Sequence, residues 1–219
     1  MRIGVLGTGN MAEALATHWA RAGHPVRVGG RDEGRARRLA ARLGYGAEHG
    51  SPREAARFGE AVLVALPYGP AAEVAGALRD ELAGKALLDC VNPVGPGFRL
   101  LTADGPSAAR RLAAAAPGAH VVKAFNLCHE DVWRMDPPAF DGQPLAVPVC
   151  GDDPAALAAA HRLVRDTGCA PVAAGGLERA GLLEATAALY IGLWVGEGAD
   201  VRAIAPPLVF AAGPGRGNG

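Results

Sequence analysis

Six residues near the start of the chain have the types and spacing that can hold a pyrophosphate. Residues 7–12 read Gly-Thr-Gly-Asn-Met-Ala. Gly7 permits a tight turn, Gly9 lets the backbone approach a phosphate, and Ala12 stands at the third small position of the G-x-G-x-x-G/A pattern. A helix that begins here presents free backbone N–H groups and the positive end of its dipole to an anion. The predicted phosphate-contacting residues are Gly7, Thr8, Gly9, Asn10 and Met11.

The residues that end the second predicted strand decide between NAD and NADP. NAD sites usually carry Asp or Glu there, whereas NADP sites place small residues and Arg around the 2′-phosphate. This chain has Gly29-Gly30-Arg31 at that point, and Arg35 follows one turn later. Arg31 and Arg35 can clamp a 2′-phosphate through charge-assisted hydrogen bonds, and Thr8 can add a hydroxyl from the first loop. We therefore predict that the cofactor is NADP(H).

Asp32, directly after Arg31, has two alternative roles. It can accept hydrogen bonds from a ribose 2′-hydroxyl, as in NAD sites, or it can cap the helix that starts near Glu33. Asp is among the preferred N-cap residues, which favours the second role. Arg37 and Arg38, further along the same helix, fit a solvated helix face.

Ligands of open α/β sheets bind beyond the carboxyl ends of the strands, so the residues after each apolar run are site candidates. Asn92 and Asn126 can hydrogen-bond a nicotinamide carboxamide or a substrate carbonyl. Asn92 precedes Pro93, where an ordinary turn explains it equally well. His129 can donate a proton near neutral pH, although a single His of this kind is more often a surface residue. We predict catalytic roles for Asn126 and His129, and cofactor contacts from Leu66, Pro67, Asn92 and Pro93.

Apolar runs and turn residues alternate along the chain in the order of a βαβ unit. Ile3 to Leu6 predicts a buried strand, Met11 to Ala22 a helix, and Val26 to Val28 a second strand. Further strands are predicted at 61–66, 85–90, 121–125, 145–150 and 171–174, with helices near 71–82, 107–116 and 153–167. This alternation predicts an α/β protein with a doubly wound, parallel-sheet Rossmann fold and a short C-terminal helical extension.

The C-terminal part of the chain departs from the alternating pattern. Residues 177–195 predict one long helix or two short ones, with apolar positions too broadly spread for a simple surface stripe. We therefore expect this helix to pack against the sheet or against a second subunit. We divide the chain into a dinucleotide-binding domain at 1–175, a helical segment at 176–205, and a Gly/Pro-rich tail at 206–219 that we expect to be mobile.

Composition argues against several classes of protein. The 219 residues include 22 basic and 22 acidic side chains and no basic block, which disfavours nucleic-acid binding. No run of 18 uncharged apolar residues predicts a membrane span, and the first strand begins at Ile3, which leaves no room for a signal peptide. The histidines share no ligand spacing, so we expect no metal site. We predict a cytoplasmic protein.

Three stretches together resemble the deazaflavin-dependent NADP reductases, the family of reduced coenzyme F420:NADP oxidoreductases and their bacterial relatives. They are residues 7–12 with Gly30-Arg31-Asp32, residues 121–126 (Val-Val-Lys-Ala-Phe-Asn), and residues 147–153 (Val-Pro-Val-Cys-Gly-Asp-Asp) followed by 175–180 (Gly-Gly-Leu-Glu-Arg-Ala) and Leu183-Glu184. The last stretch is the most specific, because a generic Rossmann domain has no reason to carry it. The resemblance covers roughly residues 1–198.

The resemblance implies an NADP-binding Rossmann domain, a homodimer, and hydride exchange between NADPH and a deazaflavin, coenzyme F420. In the family, the residue at the position of Asn126 lies beside the stacked rings. Archaeal members carry His there, and Asn is usual in other branches, including the cytosolic domain of membrane metalloreductases that use a flavin. A Gly-Met pair that helps bind the deazaflavin in archaeal members corresponds here to Gly198-Ala199, and Val195 replaces a basic residue just before it. These departures concern the second substrate and not NADP.

Two other functions fit parts of the sequence. The opening residues are also similar to pyrroline-5-carboxylate reductases, which reduce a cyclic imine with NADPH, but this resemblance ends after the first helix. An NADPH-dependent imine or ketone reductase of a small metabolite needs a proton donor, for which His129, Tyr190 and Glu130 are candidates. A non-catalytic nucleotide-sensing module fits the first βαβ unit equally well but leaves the C-terminal stretch unexplained. Hydride transfer between two stacked rings asks little acid–base work of the protein, which favours the deazaflavin reductase.

Overall fold

The computed structural model describes residues 1–204. Its strands are β1 (Ile3–Leu6), β2 (Val26–Gly29), β3 (Glu48–Gly50), β4 (Ala61–Val64), β5 (Ala86–Asp89), β6 (His120–Lys123), β7 (Ala139–Phe140), β8 (Gln143–Pro144), β9 (Ala146–Gly151) and β10 (Ala170–Ala173). Its α-helices are α1 (Asn10–Arg21), α2 (Glu33–Leu43), α3 (Pro52–Phe58), α4 (Tyr68–Ala77), α5 (Arg79–Leu82), α6 (Ala108–Ala115), α7 (Glu130–Trp133), α8 (Pro154–Arg165) and α9 (Ala180–Ile191). The chain also forms a π-helix at Gly192–Glu197 and short 3-10 turns at Pro96–Phe98, Leu177–Arg179 and Val201–Ile204.

The main sheet has the strand order β10-β9-β6-β5-β4-β1-β2-β3. The six strands from β6 to β3 in this order pair in parallel. β1 and β4 lie side by side, with Ile3 opposite Ala61, and the chain winds outward from them in both directions. This is the doubly wound Rossmann order that the sequence predicts. In such a sheet the carboxyl ends of the two strands where the winding reverses open a crevice for a ligand.

Helices cover both faces of the sheet because its central strands are apolar on both sides. Side chains alternate between the faces, so Ile3 and Val5 pack into one apolar cluster and Leu6 packs into the other. α1, α2 and α8 contribute to the first cluster, and α3, α4 and α6 to the second. The buried indole of Trp19 on α1 donates a hydrogen bond to the Leu163 carbonyl of α8 at 3.0 Å. This hydrogen bond fixes α1, and with it the loop between β1 and α1, relative to α8.

β9 and β10 depart from the parallel pattern. They pair with each other in parallel, but β9 runs antiparallel to β6, with Val122 opposite Gly151. The connection from β6 to β9 consists of the four-residue α7 and the small β7–β8 hairpin. A parallel crossover usually uses a full helix to carry the chain back along the sheet, and α7 is too short for this. β9 therefore starts from the edge at which β6 ends, and the sheet is mostly rather than wholly parallel.

β3 and α3 are elements that the apolar pattern did not predict. β3 is three residues long and lies at the sheet edge, where little apolar surface is buried. α3 begins with a capping box in which the Ser51 hydroxyl accepts from the Glu54 N–H and the Glu54 carboxylate accepts from the Ser51 N–H. Pro52 occupies the first turn of the helix. The helix start was therefore readable from its capping residues, although the apolar periodicity was too short to indicate it.

The C-terminal helix packs against the sheet domain through one face. Ala180, the first residue of α9, joins the same apolar cluster as α4 and α6, whereas Leu182 and Leu189 are 57% and 55% exposed. The helix predicted at 177–195 is thus observed as a 3-10 turn, α9 and a π-helix. The tail predicted at 206–219 lies outside the described residues.

Candidate functional site

The loop between β1 and α1 has a backbone that only glycine permits at its first position. Gly7 has a φ of +126°, and a Cβ atom there would lie 2.2 Å from the Ala65 carbonyl oxygen that follows β4. Its N–H donates to the Gly29 carbonyl at the end of β2 at 3.0 Å. The loop is therefore held between the ends of the two strands that neighbour β1. A Cβ atom at Gly9 would meet nothing within 4 Å, so this glycine faces open space.

The first turn of α1 lacks a side-chain cap, and this distinguishes it from several other helices. Gly9 is its N-cap, and α4, which begins after Leu66 and the N-cap Pro67, has no side-chain cap either. The helices α2, α3, α6, α7 and α8 begin with side chains that accept from the first turn, namely Asp32, Ser51, Ser107, His129 and Asp153. α1 and α4 start at the junction of β1 and β4. Two uncapped helix termini at this crevice can hold a pyrophosphate through backbone N–H groups.

The end of β2 leaves no room for a side chain at the position after Gly29. A Cβ atom at Gly30 would lie 2.7 Å from the Thr8 methyl group of the first loop. Thr8 and the Gly30-Arg31 turn are therefore adjacent, as a shared 2′-phosphate site requires. An acidic side chain at position 30, which an NAD site would use, would displace Thr8.

Asp32 is the N-cap of α2, which confirms the role that the sequence favours. Its carboxylate accepts from the Arg35 backbone N–H at 3.0 Å, and this hydrogen bond holds the pKa of Asp32 below its usual range. The Arg35 guanidinium lies 3.5 Å from the other carboxylate oxygen, and both side chains are mostly exposed. Arg31 is exposed as well. Both arginines can therefore reorient toward an anion.

Asp32→Ala should lower the thermal midpoint by a few degrees, because the first turn of α2 loses its cap. The preference for NADPH over NADH should persist, since the cap and not a ribose contact is removed. Thermal melts and nucleotide titrations measure the two effects separately. Asp32→Asn, which keeps a capping oxygen, is the control and should melt close to the wild type. If Asp32→Ala instead binds NADH less tightly than the wild type, Asp32 contacts the ribose 2′-hydroxyl and the capping role is not its only one.

Asn92, which is half-buried, and Asn126, which is buried, form an amide pair beyond the ends of β5 and β6. The Asn126 Nδ2 donates to Asn92 Oδ1 at 3.0 Å and to the Leu183 carbonyl of α9 at 3.1 Å. The Asn92 Nδ2 donates to the Asn126 backbone carbonyl at 2.6 Å. Asn126 is 3% exposed, and its Oδ1 has no hydrogen-bond partner among the described residues. Both donors of Asn126 are in use, so its spare capacity is that of an acceptor.

Phe125 sets the direction of Asn126 through an unusual backbone conformation. Its φ is +62°, which a bulky side chain rarely adopts. Its buried ring packs edge-on against Trp19 and Trp133, with centroid distances of 6.0 and 5.4 Å. The aromatic contacts stabilise a turn that directs the next residue toward Asn92 and α9. Strained backbone of this kind is concentrated at functional sites.

His129 lies at the surface of the same loop. Its side chain is 65% exposed, it caps α7 by accepting from the Asp131 N–H, and its ring nitrogens lie 3.3 Å from the Glu130 and Asp131 carboxylates. Glu130 accepts from Asn10 Nδ2 at 2.8 Å, which joins the α1 loop to the β6 loop. Burial raises the pKa of Glu130, but the Asn10 hydrogen bond and the nearby cations outweigh it and lower the pKa overall. The structure therefore brings Asn10, Glu130 and His129 together at the surface, whereas Asn92 and Asn126 pair with each other.

Comparison with known proteins gives a family match to the part of the site that lies in the first half of the chain. Residues 2–93 match the sequence model of the family described as NADP oxidoreductase coenzyme F420-dependent. The matched F420-dependent NADP oxidoreductase region contains the β1–α1 loop, the Gly30-Arg31 turn and the end of β4.

Relatives extend the similarity beyond this region. The chain is 31% identical over 193 residues to the metalloreductase STEAP3 of Rattus norvegicus, covering 88% of this chain and 38% of that protein. It is 29% identical over 148 residues to the F420-dependent NADP reductase of Methanocaldococcus jannaschii, covering 64% of this chain and 65% of that protein. The chain thus spans less than two thirds of either relative.

Solved structures show the same architecture. A candidate F420-dependent NADP reductase from Arthrobacter sp. FB24 superposes with a TM-score of 0.80 at 25% identity, over 90% of this chain and 95% of that one. An imine reductase of Myxococcus stipitatus in complex with NADP+ superposes with a TM-score of 0.66 at 24% identity, over 96% of this chain and 69% of that one. The second likeness is one of fold.

Sequence reasoning missed a buried charge network near the amide pair. Lys123 on β6, Asp89 on β5 and Glu184 on α9 all have side chains with no exposed surface. The Lys123 Nζ lies 3.0 Å from an oxygen of each carboxylate. Burial lowers the pKa of Lys123, but the two carboxylates outweigh it and raise the pKa, so the ammonium stays charged. The sequence did contain a signal for this network, a lysine inside an apolar strand. A buried charge must be paired, so such a lysine indicates a buried carboxylate partner.

No group of three or more His, Cys, Asp or Glu side chains within residues 1–204 is arranged to hold a metal ion. Over the same residues, no helix has the length and apolar character needed to cross a bilayer. The four cysteines are free, and burial raises the pKa of Cys90 to about 12, so its thiol is unreactive at neutral pH.

Proposed function

We propose that the chain is an NADP(H)-dependent oxidoreductase that transfers hydride between NADPH and a deazaflavin, coenzyme F420, or a related acceptor. The observation that carries the proposal is the open, uncapped start of α1 behind Gly7 and Gly9, with the Gly30-Arg31 turn adjacent to Thr8. The match of residues 2–93 to the F420-dependent family model supports the same function. The archaeal relative, an F420-dependent NADP reductase, supports the deazaflavin as acceptor.

Each part of the site has a distinct task in this proposal. The N–H groups at the start of α1 bind the pyrophosphate, and Arg31 and Arg35 hold the 2′-phosphate. When bound, NADPH supplies the hydride, and the acceptor takes it together with a proton to become its reduced form. The Asn126 Oδ1 accepts a hydrogen bond from an N–H group of the bound ring system, such as the nicotinamide carboxamide. A substrate carbonyl does not fit this atom, because both are acceptors.

The alternative, an imine or ketone reductase of a small metabolite, needs a proton donor beside the reacting carbon. Glu130 has a lowered pKa and is bonded to Asn10, so it is a poor acid at neutral pH. His129 is 65% exposed, and Tyr190 packs against Trp194 on the C-terminal helix. None of these three candidate residues is a buried proton donor beside Asn126. Direct hydride transfer between rings, which requires no such acid, is the better supported function.

One assay separates the candidate functions. Purified protein is mixed with NADPH and oxidised coenzyme F420, and the deazaflavin absorbance is followed. A decrease that depends on enzyme concentration and is weaker with NADH supports the proposal. NADPH binding without F420 reduction, together with turnover of cyclic imines, would instead identify an imine reductase. NADPH binding with no turnover on any acceptor would indicate a non-catalytic nucleotide-sensing module.

We also propose a homodimer that forms through the C-terminal helix. Leu182, Leu189 and Val195 are 57%, 55% and 71% exposed, and Trp194 is 39% exposed. Exposed apolar side chains clustered along one segment are typical of a subunit contact, and aromatic residues dominate such contacts.

Leu189→Gln combined with Trp194→Ser should convert the dimer to a monomer, because the apolar contact is lost from its centre. Light scattering after size exclusion measures the mass, which should fall from twice the 22.2 kDa of the chain to that value. Val172→Gln is the control, since Val172 is a 48% exposed apolar residue on the edge strand β10. A monomeric wild type would refute the proposal.

A further inference from the structure

The buried network of Lys123, Asp89 and Glu184 connects four elements beneath the amide pair. The Lys123 Nζ donates to Asp89 Oδ2 at 3.0 Å and to the Val91 carbonyl, and it lies 3.0 Å from Glu184 Oε1. The three N–H groups of the ammonium thus have three acceptors. The Asp89 Oδ1 in turn accepts from the Val91 N–H at 2.8 Å. The ends of β5 and β6 are therefore joined by an ion pair as well as by the backbone hydrogen bonds of the sheet.

Glu184 extends the network from the sheet to α6. Its carboxylate accepts from the backbone N–H groups of Ala108 and Ala109 at 2.9 and 3.2 Å, at the positive end of α6, and lies 3.5 Å from the Thr102 hydroxyl. Glu184 is thus a side chain of α9 that binds the start of another helix. Both oxygens of the carboxylate are occupied by donors, which an ionised carboxylate requires when it is fully buried.

Stability alone is a weak reason for such a network. Removing three charges from water is costly, and well-packed apolar side chains of similar volume often stabilise a core as well or better. An ion network differs from apolar packing in that it has one geometry in which every donor and acceptor is paired. It therefore fixes the relative position of the elements that carry it.

The elements fixed in this way are the ones that carry the amide pair. Asp89 is the last residue of β5 and precedes Asn92 by three residues. Lys123 is the last residue of β6 and precedes Asn126 by three residues. Glu184 directly follows Leu183, whose carbonyl accepts from Asn126 Nδ2. Every hydrogen bond that orients Asn126 thus comes from a segment held by the network.

We infer that Lys123 and Glu184 are positioning residues that act through Asn126: the ion network sets the distance of α9 from the sheet and thereby holds the Asn126 Oδ1 free toward a ligand. The inference rests on the proposed function for the identity of that ligand. It makes α9 a part of the site rather than an appendage of the domain.

Glu184→Gln tests this with little change of shape. The Gln side chain has a single acceptor oxygen, and its NH2 group must face either the α6 amides or the Lys123 ammonium, so one side of the network opens. The side-chain NH2 resonances of Asn126, identified by their loss in Asn126→Ala, report the result by NMR without any turnover. We expect them to shift and to exchange faster with water. Glu81→Gln is the matched control, since Glu81 is a 6% exposed carboxylate paired with Arg53 and Arg57.

Unchanged Asn126 resonances in folded Glu184→Gln would overturn the inference. So would equal changes in Glu81→Gln, because a general loss of stability would then explain them. Lys123→Met is the stronger variant, but it leaves two buried carboxylates unpaired and can fail to fold. Glu184→Gln therefore carries the test.

Kinetics supply a second readout where the wild type reduces the deazaflavin. Glu184→Gln should lower kcat about tenfold or more while the NADPH dissociation constant stays near that of the wild type. Combined with Asn126→Ala, it should lose no more than Asn126→Ala alone, because both changes remove the same function. Additive losses would overturn the inference. A wild type without F420 turnover whose Asn126 resonances still respond to Glu184→Gln would refute the proposed acceptor and support the positioning role.

Discussion

Arg31→Ala should weaken NADPH binding by about 10- to 100-fold and leave NADH binding almost unchanged. A charge-assisted hydrogen bond to a phosphate contributes about 1.5–3 kcal/mol, and NADH lacks the 2′-phosphate that Arg31 would bind. Arg31 is exposed at the end of β2, next to a glycine that cannot carry a side chain without displacing Thr8. Fluorescence titration with each reduced nucleotide measures the two affinities on the same protein.

Arg37→Ala is the matched control for this prediction, since Arg37 is an exposed arginine of the adjacent helix α2 that we assign to its solvated face. It should leave both affinities unchanged. Arg35→Ala should have a smaller effect than Arg31→Ala, because Arg35 must first leave its ion pair with Asp32. Equal losses of NADPH and NADH affinity in Arg31→Ala would contradict the assignment and indicate a general contact with the nucleotide.

The nucleotide half of the fold was predictable because its constraints are local. Gly7 has a backbone conformation and a neighbour at 2.2 Å that exclude any side chain, so the residue type and its place after a strand carry the information. Asp32 was likewise readable as a cap, because the cap and its partner Arg35 are three residues apart. Where cause and effect lie within one turn, the sequence alone is sufficient.

The direction of β9 and the charge network were not predictable for the opposite reason. The residues that pair in the network are distant in the chain: Lys123 and Asp89 are 34 residues apart, and Glu184 is 76 residues from Ala108. A single sequence shows a lysine in an apolar run but not the carboxylates that neutralise it. The exposed position of His129 is also a result of folding, since its loop could equally have turned inward.

The acceptor property of Asn126 has the same origin. An asparagine offers two donors and an acceptor, and the sequence leaves both uses open. Only the folded chain shows that Asn92 and Leu183 occupy both donors. The choice between a ligand that donates and one that accepts is therefore a consequence of tertiary structure.

Asn126→Ala should lower kcat on the order of 100-fold while changing the NADPH dissociation constant far less. We expect the proposed phosphate contacts at α1 and Arg31 to supply much of the binding energy, whereas a hydrogen bond that aligns the ring matters chiefly in the transition state. Asn126→Asp should be similarly impaired although it keeps an acceptor, because it loses the donors to Asn92 and the Leu183 carbonyl. Stopped-flow turnover and equilibrium binding give the two quantities separately. A loss confined to KM would show instead that Asn126 contributes only to uniform binding.

His129→Ala, in the same loop, then distinguishes direct hydride transfer from acid-assisted reduction. Direct transfer between rings predicts a small change, since His129 is 65% exposed and bonded to Glu130 and Asp131 rather than to the amide pair. A general acid would instead lose on the order of 100-fold and its pH–rate profile would change shape. Asp131→Asn is the control, because it perturbs the same surface cluster without removing the imidazole. Unchanged rates in both Asn126→Ala and His129→Ala would place the acceptor elsewhere, against the C-terminal helices near residues 196–199, where Gly198 ends the π-helix with a φ of +64°.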